Sequence, residues 1–186
     1  VATFILLLIS NFLGMLSLIV TIWIYYFFRD PERFSINDEN YLLSPADGVI
    51  SQITELNGPK ELGLDNKKFT RVSIFMNVFD CHVNRVPSSG KITQIFYKPG
   101  EYINASLDKA SEKNERNYVK MVSKNGEELI LVQIAGLIAR RIVCEKKEND
   151  EIKQGDRFGM IRFGSRVDLY FENYQLMVNT NQKTIA

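Results

Sequence analysis

Hydrophobic residues fall into two regimes along this chain. From Phe4 to Phe28 they follow one another with no charged side chain among them. Beyond Pro31 they come in short runs, rich in β-branched and aromatic residues and broken by turn signals. As one helix, at about 1.5 Å per residue, the first regime would extend roughly 37 Å, enough to cross a bilayer core of about 30 Å. Asn11 and Gly14 interrupt it, so two short helices dipping into one leaflet compete with a single span. Trp23, Tyr25 and Tyr26 lie near its C-terminal end, where amphipathic rings favour an interface, and Arg29 and Arg33 follow. The run is too long for a secretory signal and lacks a basic leader and a small-residue cleavage site. The expectation is a membrane-associating helix or helical hairpin over 1–28, anchored at the cell membrane. The positive charge after it places the rest of the chain on the cytoplasmic side.

The second regime predicts strands at Gly48–Ile53, Phe69–Met76, Gly90–Tyr97, Tyr118–Val122, Glu128–Ala135 and Ile142–Cys144. Turn signals separate them at Asn57-Gly58-Pro59, Pro87 to Gly90, Lys98-Pro99-Gly100, Asn125-Gly126 and Gln154-Gly155-Asp156. Such spacing predicts a mainly β domain over 29–186, a compact antiparallel sandwich or barrel. Asn125-Gly126, between two alternating runs, is the strongest hairpin signal. Ala105 to Asn117 is polar and reads as a loop with a turn or two.

Composition narrows the function classes. The 186 residues include 23 basic and 22 acidic side chains, so nothing marks a nucleic-acid polyanion as partner. Two cysteines, Cys81 and Cys144, give no disulfide framework, and a CxxC or Cys/His cluster is absent. With His82 as the only histidine, a zinc site would need several carboxylates, and no suitable cluster appears, so no metal is expected. No glycine-rich phosphate loop is visible. Starting at Val1 rather than at methionine, the sequence reads as a piece of a somewhat longer protein.

Candidate chemistry concentrates in a few stretches. Arg162-Phe163-Gly164-Ser165-Arg166-Val167-Asp168 surrounds a Gly-Ser peptide bond with charge. Glycine leaves its carbonyl open on the side where other residues carry Cβ, and the serine hydroxyl lies one residue away. Ser44-Pro45-Ala46-Asp47-Gly48 reads as a tight turn with a carboxylate at its tip, and Asp-Gly turns are common without any catalytic role. Phe79 to Pro87 holds His82, and Phe27-Phe28-Arg29-Asp30-Pro31-Glu32-Arg33 closes the apolar run.

In that order and at those separations, the set resembles the phosphatidylserine decarboxylase family in its short form, close to the archaeal archaetidylserine decarboxylases. The resemblance extends from about Phe27 to Tyr170. Decarboxylating an amino acid leaves a carbanion, which needs a carbonyl-derived electron sink that no side chain supplies. The resemblance implies that the chain makes one itself, without pyridoxal phosphate. Ser165 would attack the Gly164 carbonyl, the chain would separate into a β chain 1–164 and an α chain 165–186, and Ser165 would become a pyruvoyl group. That group would form a Schiff base with the substrate amine. The two chains would remain together as a heterodimer, and a membrane phospholipid would be the substrate.

The resemblance further assigns Asp47 to self-cleavage and His82 to proton handling during decarboxylation, for which an unperturbed pKa of about 6.5 suits an imidazole. The long form of the family has a second histidine where this chain has Arg85, and guanidinium is not a base at neutral pH. Either Asp47 works with His82 alone, or the base is an unseen water or backbone arrangement. Arg85, with its planar fork, and Arg166 are the candidate substrate-binding residues. An ether-linked serine phospholipid is an alternative substrate. A membrane-anchored serine hydrolase built on Ser165, His82 and Asp47 is a rival reading without a Gly-x-Ser-x-Gly elbow to support it. A non-catalytic β binding domain is another.

Overall fold

The computed structural model describes residues 2–36, 38–105, 113–136, 141–162 and 165–186, which form two compact units divided after Pro31. In the first, α1 (Ala2–Ile9) and α2 (Asn11–Phe27) are separated by Ser10, whose backbone is extended at φ −160° and ψ 130°. The helices fold back on each other: Thr3 Oγ1 lies 3.2 Å from Thr21 Oγ1, and Ser17 Oγ donates to Thr3 Oγ1 at 3.1 Å. Gly14 permits this approach, because a Cβ there would lie 2.3 Å from the Leu7 side chain. The single span weighed above is therefore not formed. At 17 residues α2 measures about 26 Å, short of a bilayer core of about 30 Å. No helix among the described residues is long and apolar enough to cross a membrane. Phe4, Leu8, Phe12 and Ile19 nonetheless point outward.

The second unit, 32–186, is built on antiparallel strands. In chain order they are β1 (Gly48–Asn57), β2 (Lys68–Met76), β3 (Val83–Arg85), β4 (Gly90–Lys98), β5 (Arg116–Ser123), β6 (Glu128–Ile134), β7 (Ile142–Cys144), β8 (Glu151–Ile152), β9 (Arg157–Ile161), β10 (Ser165–Phe171) and β11 (Lys183–Thr184). Eight form one curled sheet in the order β11-β1-β2-β10-β6-β5-β4-β8, and β3-β9-β7 form a second. Register shifts at Ile50/Gln52 and Ile92/Gln94 put bulges into β1 and β4, and bulges of this kind increase local twist. The barrel does not close; β11 and β8 remain as edges. Asn125-Gly126 makes the β5–β6 hairpin, with Gly126 at φ +83°.

Side chains alternate between the two faces of the large sheet. Val72, Ile74 and Met76 of β2 join Val167, Leu169 and Phe171 of β10 in the main core, capped by Phe158 and Ile161 of the small sheet. Phe69, Tyr118, Ile130, Val132 and Tyr170 build a second apolar cluster. β10 is central, between β2 and β6, and all its residues are buried. The predicted strands are present. Sequence patterning passed over β3, β8, β9 and β11, of two to five residues each, and β10, whose seven residues are all buried, polar ones included. The loop read over Ala105–Asn117 lies mostly outside the described residues.

Candidate active site

Ser165 opens β10, opposite Met76 at the end of β2. It is fully buried, and its Oγ has no hydrogen-bond partner among the described residues. Leaving a buried hydroxyl unpaired costs about 1–3 kcal/mol, which makes this serine unusual in its setting. By strand alternation it shares the face of Val167 and Leu169, toward the main core. Gly164, the other half of the predicted cleavage site, lies outside the described residues.

The chain leaving β2 comes straight back to this point. Asp80 Oδ2 accepts from the Asn77 amide at 2.9 Å, and Asn77 Oδ1 accepts from the Phe79 amide at 2.8 Å, closing a tight turn. His82 follows, with no exposed surface. Its Nδ1 is 3.0 Å from the Asp80 carbonyl oxygen, and its own carbonyl accepts from the Ile161 amide at 3.4 Å. Ile161 ends β9, four residues before Ser165. Thus the β2–β3 turn lies beside the end of β9.

Next to them is a chain of buried amides that sequence reading did not single out. Asn117 Nδ2 donates to Gln133 Oε1 at 3.0 Å, and Gln133 Nε2 donates to Asn84 Oδ1 at 2.9 Å. Asn84 Nδ2 in turn reaches Met76 Sδ at 3.7 Å. The only sequence signal was the polar residue at 133 inside an apolar strand, which marks a buried partner pair only once the neighbours are known.

Asp47 immediately precedes β1. Val49 stands opposite Phe75, and Phe75 stands opposite Arg166, so Asp47 and Ser165 come to the same end of three adjacent strands. Across two strand spacings their backbones are about 10 Å apart. The Asp47 carboxylate accepts from Arg33 at 2.9 Å and from the Ala186 amide at 2.8 Å. It does not hydrogen-bond Ser165, and neither does His82.

The two candidate substrate-binding arginines are engaged within the fold. Arg85, buried in β3, donates from Nη1 to the Gly155 carbonyl at 3.1 Å. Arg166 is the bulkiest of the fully buried side chains, and it pairs with Asp168 through Nε at 2.8 Å and Nη2 at 3.0 Å. Such a buried pair fixes geometry more than it adds stability. Cys81 and Cys144 form no disulfide among the described residues, and burial pushes the Cys144 thiol up.

The family model for phosphatidylserine decarboxylase matches residues 20–186. Among relatives, the phosphatidylserine decarboxylase proenzyme of Pelagibacter ubique is 64% identical over 186 residues, covering 100% of this chain and 86% of that protein. The proenzyme of the same name from Ruegeria pomeroyi is 50% identical over 185 residues, 99% of this chain and 84% of its own length. That of Rickettsia typhi is 51% identical over 175 residues, 94% of this chain and 76% of its own length. With a family match over most of its length and relatives of this identity, the chain belongs to the phosphatidylserine decarboxylase family.

Proposed function

We propose that this chain decarboxylates phosphatidylserine to phosphatidylethanolamine, using a pyruvoyl group made from its own Ser165. The relatives' names, as proenzymes, support maturation by cleavage and a lipid substrate. The observation that carries the reading is the Ser165 hydroxyl, buried and without a partner among the described residues at the head of β10. A hydroxyl already stripped of water and of competing hydrogen bonds is suited to attack the adjoining carbonyl.

In the maturation step Ser165 Oγ bonds to the Gly164 carbonyl carbon and gives up its proton, while the Gly164–Ser165 C–N bond breaks and the nitrogen takes a proton. The resulting ester loses the α-hydrogen of residue 165 as a proton and expels the Gly164 carboxylate, leaving an enamine. Water converts this to the pyruvoyl group and releases ammonia. Asp47 is assigned the serine proton, by relay across the strand end, with Arg33 holding its carboxylate in orientation. The pyruvoyl carbonyl supplies the electron sink for carbon dioxide loss. His82, positioned through the Asp80 carbonyl, handles the proton at the substrate carbon.

The outward apolar side chains of α1 and α2 support attachment to the cell membrane by two short helices lying in one leaflet, with the β domain on the cytoplasmic side. An intact-mass measurement tests the central claim. Wild-type protein is expected as two chains, 1–164 and a pyruvoyl-blocked 165–186, and Ser165→Ala as one inactive chain. Fully active protein that is uncut would overturn it.

A further inference from the structure

On the face of the large sheet opposite the Ser165 side chain, the curl and the Asn57–Asp65 connection enclose a polar cleft of about 780 Å³. We propose that this cleft is an anion site that takes the phosphate group of a small molecule or of a lipid headgroup, a role separate from decarboxylation.

Arg71 anchors the argument. It is 8% exposed and lines the cleft. Its Nη2 donates to Gln52 Oε1 at 2.6 Å, yet its Nε is buried with no partner among the described residues. On one side Arg71 stands opposite Thr54, whose Oγ1 is likewise buried and unpartnered. On the other it stands opposite Tyr170. A guanidinium edge with an unused donor costs free energy as it stands, and its planar fork matches phosphate oxygens.

The rest of the lining supplies charge of the same sign. Arg116, also buried, faces the cleft, and Lys98 lies opposite it in the β4–β5 pairing. Lys60 and Lys113 stand exposed at the rim. Against these five cations stand two carboxylates, Glu61 and Asp65. Glu61 is already tied to Lys98 at 2.8 Å and lies 3.9 Å from Arg116. Burial works to raise its pKa, but the hydrogen bond and charge of Lys98, helped by Arg116, hold it below the ordinary value. It stays ionised, and the lining remains net positive. Tyr118 and Tyr170 add hydroxyl donors: burial raises both, Tyr170 to about 12, so both keep their protons.

The tetrahedral anion is common to two sources, free phosphate and a phosphodiester headgroup, and calorimetric titration of the full chain in detergent separates them. The probes are inorganic phosphate and glycerophosphoglycerol, a soluble phosphodiester. Saturable binding is expected for at least one. Tighter binding of inorganic phosphate assigns a free phosphate, and tighter binding of the diester assigns a headgroup. Arg71→Gln is expected to weaken binding at least tenfold. Lys113→Glu, an exposed change that leaves the fold alone, is expected to weaken it several-fold and to reduce its salt dependence. Absence of saturable binding for both probes, or affinity unchanged in both variants, overturns the proposal.

Discussion

Ser165 and Met76 stand opposite each other where β10 meets β2, both fully buried, and only one of them has a polar partner. Met76 Sδ accepts the Asn84 amide at 3.7 Å, while Ser165 Oγ has none among the described residues. A thioether carries no hydrogen-bond donor, so it leaves the nucleophilic lone pairs of a hydroxyl across the strand pair unoccupied. Giving the serine a donor should therefore quiet it. Met76→Gln is expected to slow self-cleavage at least tenfold, read as persistence of the uncut chain on a gel. Met76→Leu, which preserves volume and apolarity, should cleave close to the wild-type rate. Equal rates in Gln and Leu variants would show that the apolar surroundings of the hydroxyl do not matter.

Maturation and turnover separate at His82. Its ring is held through the Asp80 carbonyl, and the serine proton is assigned to Asp47, so cutting is not expected to require His82. His82→Ala should still yield two chains, while carbon dioxide release falls by about 100-fold, the scale of a lost general acid–base group. A cut His82→Ala enzyme with normal turnover would make this histidine structural.

The products of cleavage should stay together without a covalent link. β10 is the head of the proposed α chain and is paired on both sides, with β2 from Ser165↔Met76 to Phe171↔Thr70 and with β6 from Arg166↔Ile134 to Tyr170↔Ile130. β11 pairs with β1, and the Ala186 amide bonds Asp47. Gel filtration of the matured enzyme in detergent is expected to elute both chains in one peak, separating only in denaturant. Loss of the small chain under native conditions would contradict the central placement of β10.

Much of this fold was legible because its strands obey an alternating pattern. β1, β2, β4, β5, β6 and the Asn125-Gly126 hairpin all declare themselves through alternation and turn residues. β10 did not, since Ser165, Arg166 and Asp168 are buried polar residues in a strand covered on both faces, and their polarity hides the alternation. The same blindness affected the site. Ser165, His82 and Asp47 were visible as motif residues, but that Arg166 would spend its charge on Asp168 depends on strand register, as does the Asn84–Gln133–Asn117 chain. The N-terminal run was legible as apolar, while its division at Ser10 follows from one extended residue and the close approach of Leu7 to Gly14.

A row of four charges links Lys120 of β5, Glu128 of β6, Lys67 before β2 and Glu172 after β10, and it makes a pH prediction. Glu128 accepts from Lys120 and from Lys67, each at 2.7 Å, and Lys67 also reaches Glu172 at 2.7 Å. The hydrogen bond from Lys120 first, then that from Lys67, holds the Glu128 carboxyl below its ordinary 4.5, while the bonds to Glu128 and then Glu172 raise Lys67 above 10.5. A depressed carboxylate contributes stability that is complete above 4.5 and is lost as pH falls through its lower folded value. A raised lysine contributes stability that is complete below 10.5 and is lost as pH rises through its higher folded value. These groups are partly exposed, so solvent screening limits each pair to about 0.2–1 kcal/mol. Glu128→Gln should lower the urea midpoint modestly at pH 7 and leave a shallower decline between pH 5 and pH 3.5 than wild type, with the difference shrinking in high salt. Parallel acid limbs for the two proteins would mean that Glu128 titrates alike in the folded and unfolded chain, and that the row of charges contributes nothing to holding the end of β10 in place.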